Sequence, residues 1–423
     1  MLLIYRILIN FFFPLIIIGI YIRKFFNKEN KIRYKEKLFS SCFNIIKNNE
    51  KRLIWFHAAS IGEVKSIIPV IQKLKKKAQY QFLITTTTLS SSKLIEKDLL
   101  HEKNIVHRFF PIDKFSLISK FLDGWSPHLT VFVDSEIWPN FILEINKRNI
   151  PLVLLNGRIT KKTFLRWRLI PQFAKKIFQS FQLSIPANKE SQKYLEKFNV
   201  KAIKYFGNIK LASEQKFKEI SSNDARFFNN RLFWSAVSVH EGEDMFCLKT
   251  HLKIKKQHNN ITTIIIPRHV DRVKKIRLIC KKLNLKYQIL SENKDIEKNK
   301  EILIVNSYGV TTQFLTLCNS VFIGKSMEKK FEKVGGQNPI EAAKLGCKIY
   351  HGPYVYNFQD IYNLLEKLKI SEKVLNEDEL SNKISVDFNQ DRLNRREKIE
   401  MINKLGEKIL NDTCNELEKI ILK

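Results

Sequence analysis

The chain opens with an almost uninterrupted apolar run and then alternates short apolar segments with amphipathic ones. From Ile7 to Ile22 nearly every residue is apolar. Further along, runs rich in β-branched and aromatic residues are separated by segments with helical periodicity, such as Val64–Lys75 and Phe115–Leu122. Because alternation of this kind builds βαβ units, it predicts α/β domains with mostly parallel, doubly wound sheets.

The apolar runs fall into two series, which predicts two domains. A chain of 423 residues suits two cores of roughly 200 residues or fewer. Between the series, the stretch from Gly207 to about Asp224 is polar and shows no strand pattern. We therefore predict a membrane anchor over residues 1–26, a first domain over 27–208 and a second, with terminal helices, over 209–423. The predicted strands are Leu53–His57, Phe82–Thr86, Val106–Phe110, Leu129–Val133, Leu152–Leu155, Gln182–Ile185 and Ala202–Phe206, then Leu232–Val237, Thr262–Ile266, Tyr287–Leu290, Ile302–Val305, Val321–Ile323 and Lys348–Tyr350.

The first apolar run has the features of a membrane anchor. No small-x-small cleavage site follows it, so a removed signal peptide is not predicted. Sixteen helical residues cover about 24 Å against a hydrocarbon core of about 30 Å, so the segment either spans with snorkelling ends or lies partly embedded. The basic stretch from Arg23 to Lys37 predicts that the remaining chain faces the cytoplasm. The flanking charges and the terminal position argue against the alternative, a buried core helix.

The net charge of +32 suits anionic partners. Nucleic acid, an anionic bilayer or phosphorylated small molecules would be attracted, although lysines spread along the whole chain also account for the total. No Lys/Arg run with interleaved aromatic residues stands out, so nucleic acid is not expected as a partner. The six cysteines are scattered without a C-x-x-C pair, which predicts reduced core residues and suits a cytoplasmic body.

Candidate catalytic residues follow the first predicted strand. The sequence H-A-A-S-I-G-E over 57–63 ends that strand and begins a helix. Ser60 and Glu63 have the spacing of a capping box, which is a purely structural interpretation. Glu63 also stands at the carboxyl end of the strand, where a general base could face a ligand. Small residues beside it, Gly62 among them, would let a substrate approach.

Charged and polar residues follow other strands of the same domain. Asp134 and Glu136 come after the fourth strand and precede a helix, which favours a site role over simple compensation of the helix dipole. Asn156 and Arg158 end the next strand similarly. In the connection between the domains, Lys210 supplies a cation that can reach a cleft.

The second series carries groups suited to phosphate and ribose. Arg268 directly follows a strand and can pair with a phosphate. Gly335 and Gly336 allow close backbone approach, and Asn338–Pro339 starts a helix whose N-terminus could hold phosphate or could simply be capped. Glu341, one turn in, could accept from ribose hydroxyls. The segment N-S-Y-G-V over 306–310 would line the same pocket.

Several familiar motifs are missing from the sequence. It contains no G-x-G-x-x-G, no P-loop, no G-x-S-x-G and no D-x-D. The fingerprints of dinucleotide binding, of P-loop nucleotide hydrolysis and of α/β-hydrolases are therefore absent. Because the usual carboxylate pair for a divalent ion is missing, we predict a transferase that uses no metal or other cofactor, with arginine, lysine and helix dipoles balancing the leaving phosphate.

Taken together, seven segments resemble those of the Kdo transferase family, whose members attach 3-deoxy-D-manno-octulosonic acid (Kdo) to lipid A precursor. They occur in the family's order, at family-like separations, from about residue 30 to 370, and an N-terminal anchor is also usual there. The segments are H-A-A-S-I-G-E (57–63), D-S-E-I-W-P-N (134–140), N-G-R (156–158), G-N-I-K (207–210), I-P-R-H (266–269), G-G-Q-N-P-I-E (335–341) and G-P-x-x-x-N-F (352–358).

The resemblance implies a GT-B fold of two Rossmann-like domains facing a cleft, and inversion at the anomeric carbon. It implies that Glu63 is the general base and that Glu136 and Lys210 stabilise the transition state. The chain departs from the family at Val310, where glutamate is usual, and at Gln337, where histidine is common. Residues expected on the acceptor side of the cleft are Ser60, Gly62, Asn156 and Arg158. Residues implied to bind CMP-Kdo are Pro267, Arg268, Tyr308, Gly309, Val310, Gly335, Gly336, Asn338, Pro339, Ile340 and Glu341.

The resulting hypothesis is a transferase of lipopolysaccharide synthesis on the cytoplasmic side of the inner membrane. Its partners would be CMP-Kdo as donor, a phosphorylated lipid A precursor (lipid IVA) as acceptor, and anionic inner-membrane lipid. Two alternatives stay open: another membrane-associated GT-B transferase that uses a UDP-sugar, and a non-enzymatic, membrane-tethered binder of polyanions. The first would bind UDP in preference to CMP. The second would bind polyanions with steep salt dependence and consume no sugar.

Overall fold

The computed structural model describes residues 1–214, 226–228, 231–291, 295–307, 309–389 and 392–422. It divides into two compact units, one formed by Met1–Ser213 with Leu405–Lys423 and the other by Glu214–Lys404. Each unit is built on one parallel sheet, which confirms the prediction of two doubly wound α/β domains. The division falls a few residues after the predicted boundary at 208/209.

The first unit contains a six-stranded sheet in the order β3-β2-β1-β4-β5-β6. The strand order reverses between β1 and β4, and open α/β sheets bind ligands at the carboxyl ends of strands beside such a reversal. The strands are β1 Arg52–His57, β2 Tyr80–Thr86, β3 Ile105–Phe109, β4 Leu129–Val133, β5 Leu152–Gly157 and β6 Leu183–Pro186. The helices are α1 Leu2–Phe25, α2 Ile61–Leu74, α3 Leu89–Asp98, α4 Phe115–Trp125, α5 Pro139–Lys147, α6 Lys161–Arg168, α7 Pro171–Phe178 and α8 Lys189–Lys197.

The second unit contains a seven-stranded sheet in the order β13-β12-β11-β7-β8-β10-β9. Here the order reverses between β7 and β11. The strands are β7 Leu232–Val239, β8 Ile261–Pro267, β9 Tyr287–Leu290, β10 Ile302–Val305, β11 Ser320–Ile323, β12 Lys348–His351 and β13 Ser371–Lys373. The helices are α9 Glu243–Lys255, α10 Val273–Lys282, α11 Thr311–Leu317, α12 Ile340–Lys344, α13 Gln359–Lys367, α14 Glu377–Asp387 and the first part of α15 Arg392–Ile421.

Two strand predictions differ from the structure, both at a sheet edge. The segment Ala202–Phe206 is not a strand, since only Ile203 forms a bridge, to Ser184. The edge strand β13 was not predicted, because its sequence S-E-K contains no apolar residue. Edge strands bury little apolar surface, so hydrophobic patterning identifies them poorly.

The end of α15 belongs to the first unit, whereas the sequence suggested that the terminal helices would complete the second. Packing explains the difference. A Cβ atom on Gly406 would clash with the carbonyl oxygen of Leu211, so only glycine lets the helix approach there. Ion pairs add to this contact, since Lys77 Nζ lies 2.8 Å from Glu418 Oε1 and Lys204 Nζ lies 2.6 Å from Glu416 Oε2.

Helix α1 extends beyond the predicted apolar run at both ends. Its 24 residues correspond to about 36 Å, and it is long and apolar enough to cross a membrane. Ile20 is its one buried residue, so α1 is not a core helix. One side of it contacts Tyr34, Leu38 and Ile112 of the first unit, while most of its large apolar side chains are exposed.

Candidate active site

Glu63 lies in the first turn of α2, just beyond the carboxyl end of β1. Its Oε2 accepts from the Ala59 N–H at 2.7 Å, and its Oε1 accepts from the Ser60 hydroxyl at 2.7 Å. In return, Ser60 Oγ accepts from the Glu63 N–H at 3.4 Å. Ser60 therefore caps α2 as the sequence predicted, while the Glu63 carboxylate accepts hydrogen bonds from the Ser60 hydroxyl and from the N–H of Ala59, one residue before the cap. These bonds fix the carboxylate in place.

The electrostatic surroundings of Glu63 exceed what a helix cap requires. The pKa of its carboxyl is raised to about 7, and burial is the largest cause. The negative charges of Glu136 and Asp134 also raise this pKa, while the hydrogen bonds from Ser60 and Ala59 oppose the rise. A carboxylate with such a pKa can accept a proton near neutral pH. A Cβ at the neighbouring Gly62 would meet no atom within 4 Å, so the space beside Glu63 is open.

Glu136 follows β4, the strand that pairs with β1, and its environment has the opposite effect. Its Oε2 lies 3.2 Å from His57 Nε2 and accepts from Trp138 Nε1 at 2.8 Å. Burial alone would raise the pKa of Glu136, but the hydrogen bonds from His57 and Trp138 and the charge of His57 lower it overall. His57 is itself buried and stacks on Phe110 with a ring-centroid distance of 3.6 Å. The two carboxylates therefore differ in their readiness to hold a proton.

Lys210 is brought to the same edge of the first sheet. Its Nζ lies 2.9 Å from Asp134 Oδ2, and its side chain stays 27% exposed. Asp134 has a φ of +60° and donates its N–H to Leu155 O, so the chain turns sharply as it leaves β4. Because the ammonium group has three donors and the side chain is partly exposed, it can still donate to an anion.

Asn156 and Arg158 support this arrangement from β5. Asn156 is buried, and its Oδ1 accepts from the Ile209 N–H at 3.3 Å, so it positions the segment that carries Lys210. A buried side chain does not line the acceptor side of a cleft, as the sequence suggested for Asn156. Arg158 is half-buried, and its N–H donates to Asp134 O at 3.0 Å.

In the second unit, the predicted phosphate ligand follows β8. Pro267 is the buried last residue of that strand. The side chain of Arg268 is exposed and has no ion-pair partner among the described residues. A free guanidinium at the carboxyl end of a parallel strand is well placed to bind phosphate.

Gly335 and Gly336 form a tightly packed turn. A Cβ at Gly335 would clash with the carbonyl oxygens of Tyr354 and Phe331, and Gly336 has a φ of +89°. The Gly336 N–H donates to Lys325 O at 2.7 Å, next to the end of β11. Both glycines are therefore required by the local backbone, whether or not a ligand approaches.

The helix predicted to follow Asn338–Pro339 is very short. It covers only Ile340–Lys344, and Asn338 Oδ1 already accepts from the Ile340 N–H at 3.1 Å. Five residues make a weak helix dipole, so the capping interpretation describes this segment better than the phosphate-binding one. Ile340 is buried, Pro339 is buried and Glu341 is half-buried.

The remaining predicted nucleotide contacts lie after β10. Tyr308 lies outside the described residues. Gly309 is exposed, with open space where a Cβ would be. Val310 is half-buried against the apolar cluster that contains Phe314, so its side chain turns toward the core.

Sequence reasoning missed Glu243, which organises the predicted nucleotide-binding side of the second sheet. This carboxylate is fully buried and accepts backbone N–H groups from both sides of the strand reversal. On the β7 side it accepts from His240 at 3.0 Å, and on the β11 side from Lys325 and Ser326 at 2.7 Å each and from Met327 at 3.0 Å. The sequence offered a local indication of this residue, since the acidic segment H-E-G-E-D over 240–244 joins the end of β7 to the start of α9.

Comparison with known proteins identifies the family. Residues 33–213 match the family model described as 3-deoxy-D-manno-octulosonic-acid transferase (kdotransferase). The 3-deoxy-D-manno-octulosonic acid transferase of Rickettsia felis is 33% identical over 345 residues, which cover 79% of this chain and 71% of that protein. The enzyme of the same description from Haemophilus influenzae is 25% identical, over 87% of this chain and 85% of its own length.

Solved structures agree on the fold. A glycosyltransferase from Rickettsia africae superposes with a TM-score of 0.56 at 12% identity, over 89% of this chain and all of the other. At that identity the likeness shows the fold alone, and the fold is GT-B. With the sequence relationships above, it follows that the chain belongs to the 3-deoxy-D-manno-octulosonic acid transferase family of glycosyltransferases.

Proposed function

We propose that this enzyme transfers Kdo from CMP-Kdo to a phosphorylated lipid A precursor, lipid IVA, with Glu63 as the general base. One observation carries the proposal furthest. Glu63 and Glu136 follow neighbouring strands beside the reversal of the first sheet, and their surroundings push their pKa values in opposite directions. Two carboxylates whose pKa values differ in this way can take different roles, one accepting a proton and the other stabilising positive charge.

In the proposed step, an acceptor hydroxyl oxygen attacks the anomeric carbon of Kdo while its proton passes to Glu63. The bond from that carbon to the phosphate oxygen breaks, its electron pair leaves with CMP, and the anomeric configuration inverts. General-base assistance contributes about 10²–10⁴-fold. Glu136 remains ionised and favours the positive charge that develops on the sugar ring, while Arg268 and Lys210 supply positive charge for anionic groups of the substrates. No metal ion is needed in this scheme.

We also propose that α1 lies in the cytoplasmic leaflet of the inner membrane and does not cross it. Near its start, Arg6 Nη2 lies 2.9 Å from Glu144 Oε1 on α5. Near its end, Ile20 packs on Leu38, and Lys24 Nζ lies 4.5 Å from the centre of the Tyr34 ring. Because both ends contact the first unit, crossing the bilayer would break one of these sets of contacts. The exposed apolar side then provides the lipid-facing surface.

The decisive assay uses the detergent-solubilised full chain, tetraacyl lipid A precursor, and CMP-Kdo generated in situ. Mass spectrometry of the lipid should show gains in units of Kdo, and the number of units gives the number of sugars added. Glu63→Gln should form almost no product, whereas the control Glu196→Gln, on the exposed side of α8, should behave as wild type. A folded wild-type chain that binds CMP but adds no mass would refute the proposal. Stronger competition by UDP than by CMP would favour the UDP-sugar alternative.

A further inference from the structure

The corner between α6 and α7 exposes two large apolar side chains on the first unit. Leu165 is 46% exposed and Leu169 is 82% exposed, a value that among the large apolar side chains of the described residues is matched only by Phe25 of α1. Pro171 is the first residue of α7 and prevents α6 from continuing, so it fixes the corner. Single exposed leucines are ordinary on protein surfaces. Whether these two indicate a binding surface therefore depends on the residues around them.

The corner is strongly cationic. No Asp or Glu occurs between Glu144 and Glu190, although acidic residues are frequent elsewhere in the chain. The exposed basic residues of the corner, none of which has a carboxylate partner among the described residues, are Lys161, Lys162, Arg166, Arg168, Lys175 and Lys176. By contrast, Arg148 just after α5 pairs with Asp123 at 2.9 Å and with Glu144 at 2.7 Å. The local charge is therefore unbalanced beyond the general lysine content.

The opposite side of the corner is firmly held. Phe164 of α6 is buried and stacks on Tyr194 with a ring-centroid distance of 4.4 Å. Trp167 packs edge-on against Phe178 of α7 at 5.6 Å. Because these aromatic residues fix both helices to the core, the exposure of Leu165 and Leu169 is built into the packing.

The corner lies on the same side of the first sheet as α1. Leu2 and Phe13 of α1, Trp167 of α6 and Phe173 of α7 all pack against one cluster of buried side chains. That cluster contains residues of α4, α5 and α7 and none of α2 or α3. Helix α1 packs on α5, and α5 packs on α7, so a continuous row of helices joins the proposed anchor to the corner.

We propose that the α6–α7 corner is a second membrane contact, which inserts Leu165 and Leu169 among lipid headgroups while its basic side chains bind the phosphates of anionic lipid. This inference rests on the proposed position of α1 at the membrane. Exposed aliphatic residues within an unbalanced cationic segment are the composition that binds anionic interfaces. A single helix lying in the interface leaves the unit free to roll about the helix axis. A second contact removes that freedom and sets the angle at which the unit faces the bilayer.

The test places an environment-sensitive fluorophore on single cysteines of the full chain. Cys42 is partly exposed and the other five cysteines are buried, so Cys42→Ser provides the background. The probe positions are Leu169→Cys at the corner, Phe11→Cys on exposed α1, and Leu100→Cys just after α3 as the control on the other side of the sheet. Vesicles are either phosphatidylcholine alone or a mixture with phosphatidylglycerol, each with and without brominated lipid as quencher.

On mixed vesicles, the probes at 169 and 11 should shift to the blue and be quenched by brominated lipid, while the probe at 100 should not change. If the probe at 11 is quenched and that at 169 is not, the second contact is wrong and the anchor stands. If neither is quenched, the membrane position of α1 fails as well. A blue shift at 169 that grows with protein concentration without vesicles would instead reveal contact with a second copy and overturn the proposal.

A charge variant tests the choice of anionic lipid. Replacing Lys161, Lys162, Arg166 and Arg168 with glutamine should weaken binding to mixed vesicles by roughly tenfold or more. Binding to pure phosphatidylcholine should stay unchanged, since α1 is intact. Equal quenching at 169 on both vesicle types, or equal loss of binding to both by this variant, would contradict the role assigned to lipid phosphate.

Discussion

Replacing Glu63 by glutamine would separate its two roles, capping α2 and accepting a proton. Glutamine is also favourable at this position of a capping box. Its amide oxygen can accept from the Ala59 N–H and its amide group can donate to Ser60 Oγ, which replaces the two 2.7 Å hydrogen bonds of the carboxylate. The variant therefore keeps the cap and loses the charge and the base.

The size of the effect on stability follows from the pKa of Glu63, which rises from 4.5 to about 7 on folding. A difference of about 2.5 units corresponds to about 3 kcal/mol, an upper figure because the carboxyl is not fully buried. Since the pKa is higher in the folded state, this contribution to stability is present below pH 4.5 and is lost as the pH rises through 7. Glutamine carries no charge at any pH. Glu63→Gln should therefore match the wild type near pH 4.5 and exceed it at pH 8 by up to about 3 kcal/mol.

The assay is thermal unfolding of both proteins at pH 5 and pH 8, combined with the Kdo transfer assay. For a unit of this size, the gap at pH 8 corresponds to roughly 6–12 °C at most, while turnover should fall by about 10²–10⁴-fold. A variant that is stabilised but inactive would show that stability is given up for activity at this position. Wild-type turnover in Glu63→Gln would refute the role of Glu63 as general base. A difference in unfolding temperature that does not widen from pH 5 to pH 8 would refute the conclusion that burial raises the pKa of Glu63.

Three further predictions concern the same site. Wild-type activity should fall as the pH drops below about 7, when Glu63 becomes protonated. In Glu136→Gln this fall should occur at lower pH, because the variant lacks a negative charge that raises the pKa of Glu63. The pH–rate profiles of both proteins measure the shift, and identical profiles on the acid side would contradict the prediction. Lys210→Met should lower turnover by roughly 10²-fold. The control Lys204→Met loses only a surface ion pair with Glu416 and should keep wild-type turnover. Equal losses of turnover in the two variants would point to a purely structural role for Lys210. Activity should survive EDTA and gain nothing from added Mg²⁺, and loss of activity restored by a divalent ion would overturn the metal-independent scheme.

The central strands of both sheets could be predicted because they are buried on both faces. Such strands appear as short continuous apolar runs, and Leu129–Val133 was located to the residue. The polar edge strand Ser371–Lys373 has no such signal. The return of α15 to the first unit could not be predicted either, because it depends on Gly406 meeting Leu211 across nearly two hundred residues. Periodicity reports which face is buried and says nothing of the surface that buries it.

The candidate site shows the same division between local and distant causes. Glu63, Glu136 and Lys210 could be proposed because each follows an apolar run or stands in a recognisable segment. Their pKa values could not, since these depend on burial and on the charges of other loops. Glu243 was missed because its partners come from Lys325 to Met327, which only the folded sheet brings near.

The course of α15 has a consequence for biosynthesis. The first unit begins with the first residues of the chain but is completed by the last ones, whereas the second unit is one continuous stretch. Ile409, Cys414, Leu417 and Ile421 are buried, so a ribosome-bound chain that lacks them leaves an apolar face of the first unit uncovered. Helix α1, the proposed membrane anchor, would therefore leave the ribosome long before the unit it belongs to is complete, and the second unit could fold in between. For the same reason, a fragment that stops at residue 213 is an unfinished domain, and dissection of the two units has to retain the last turns of the chain.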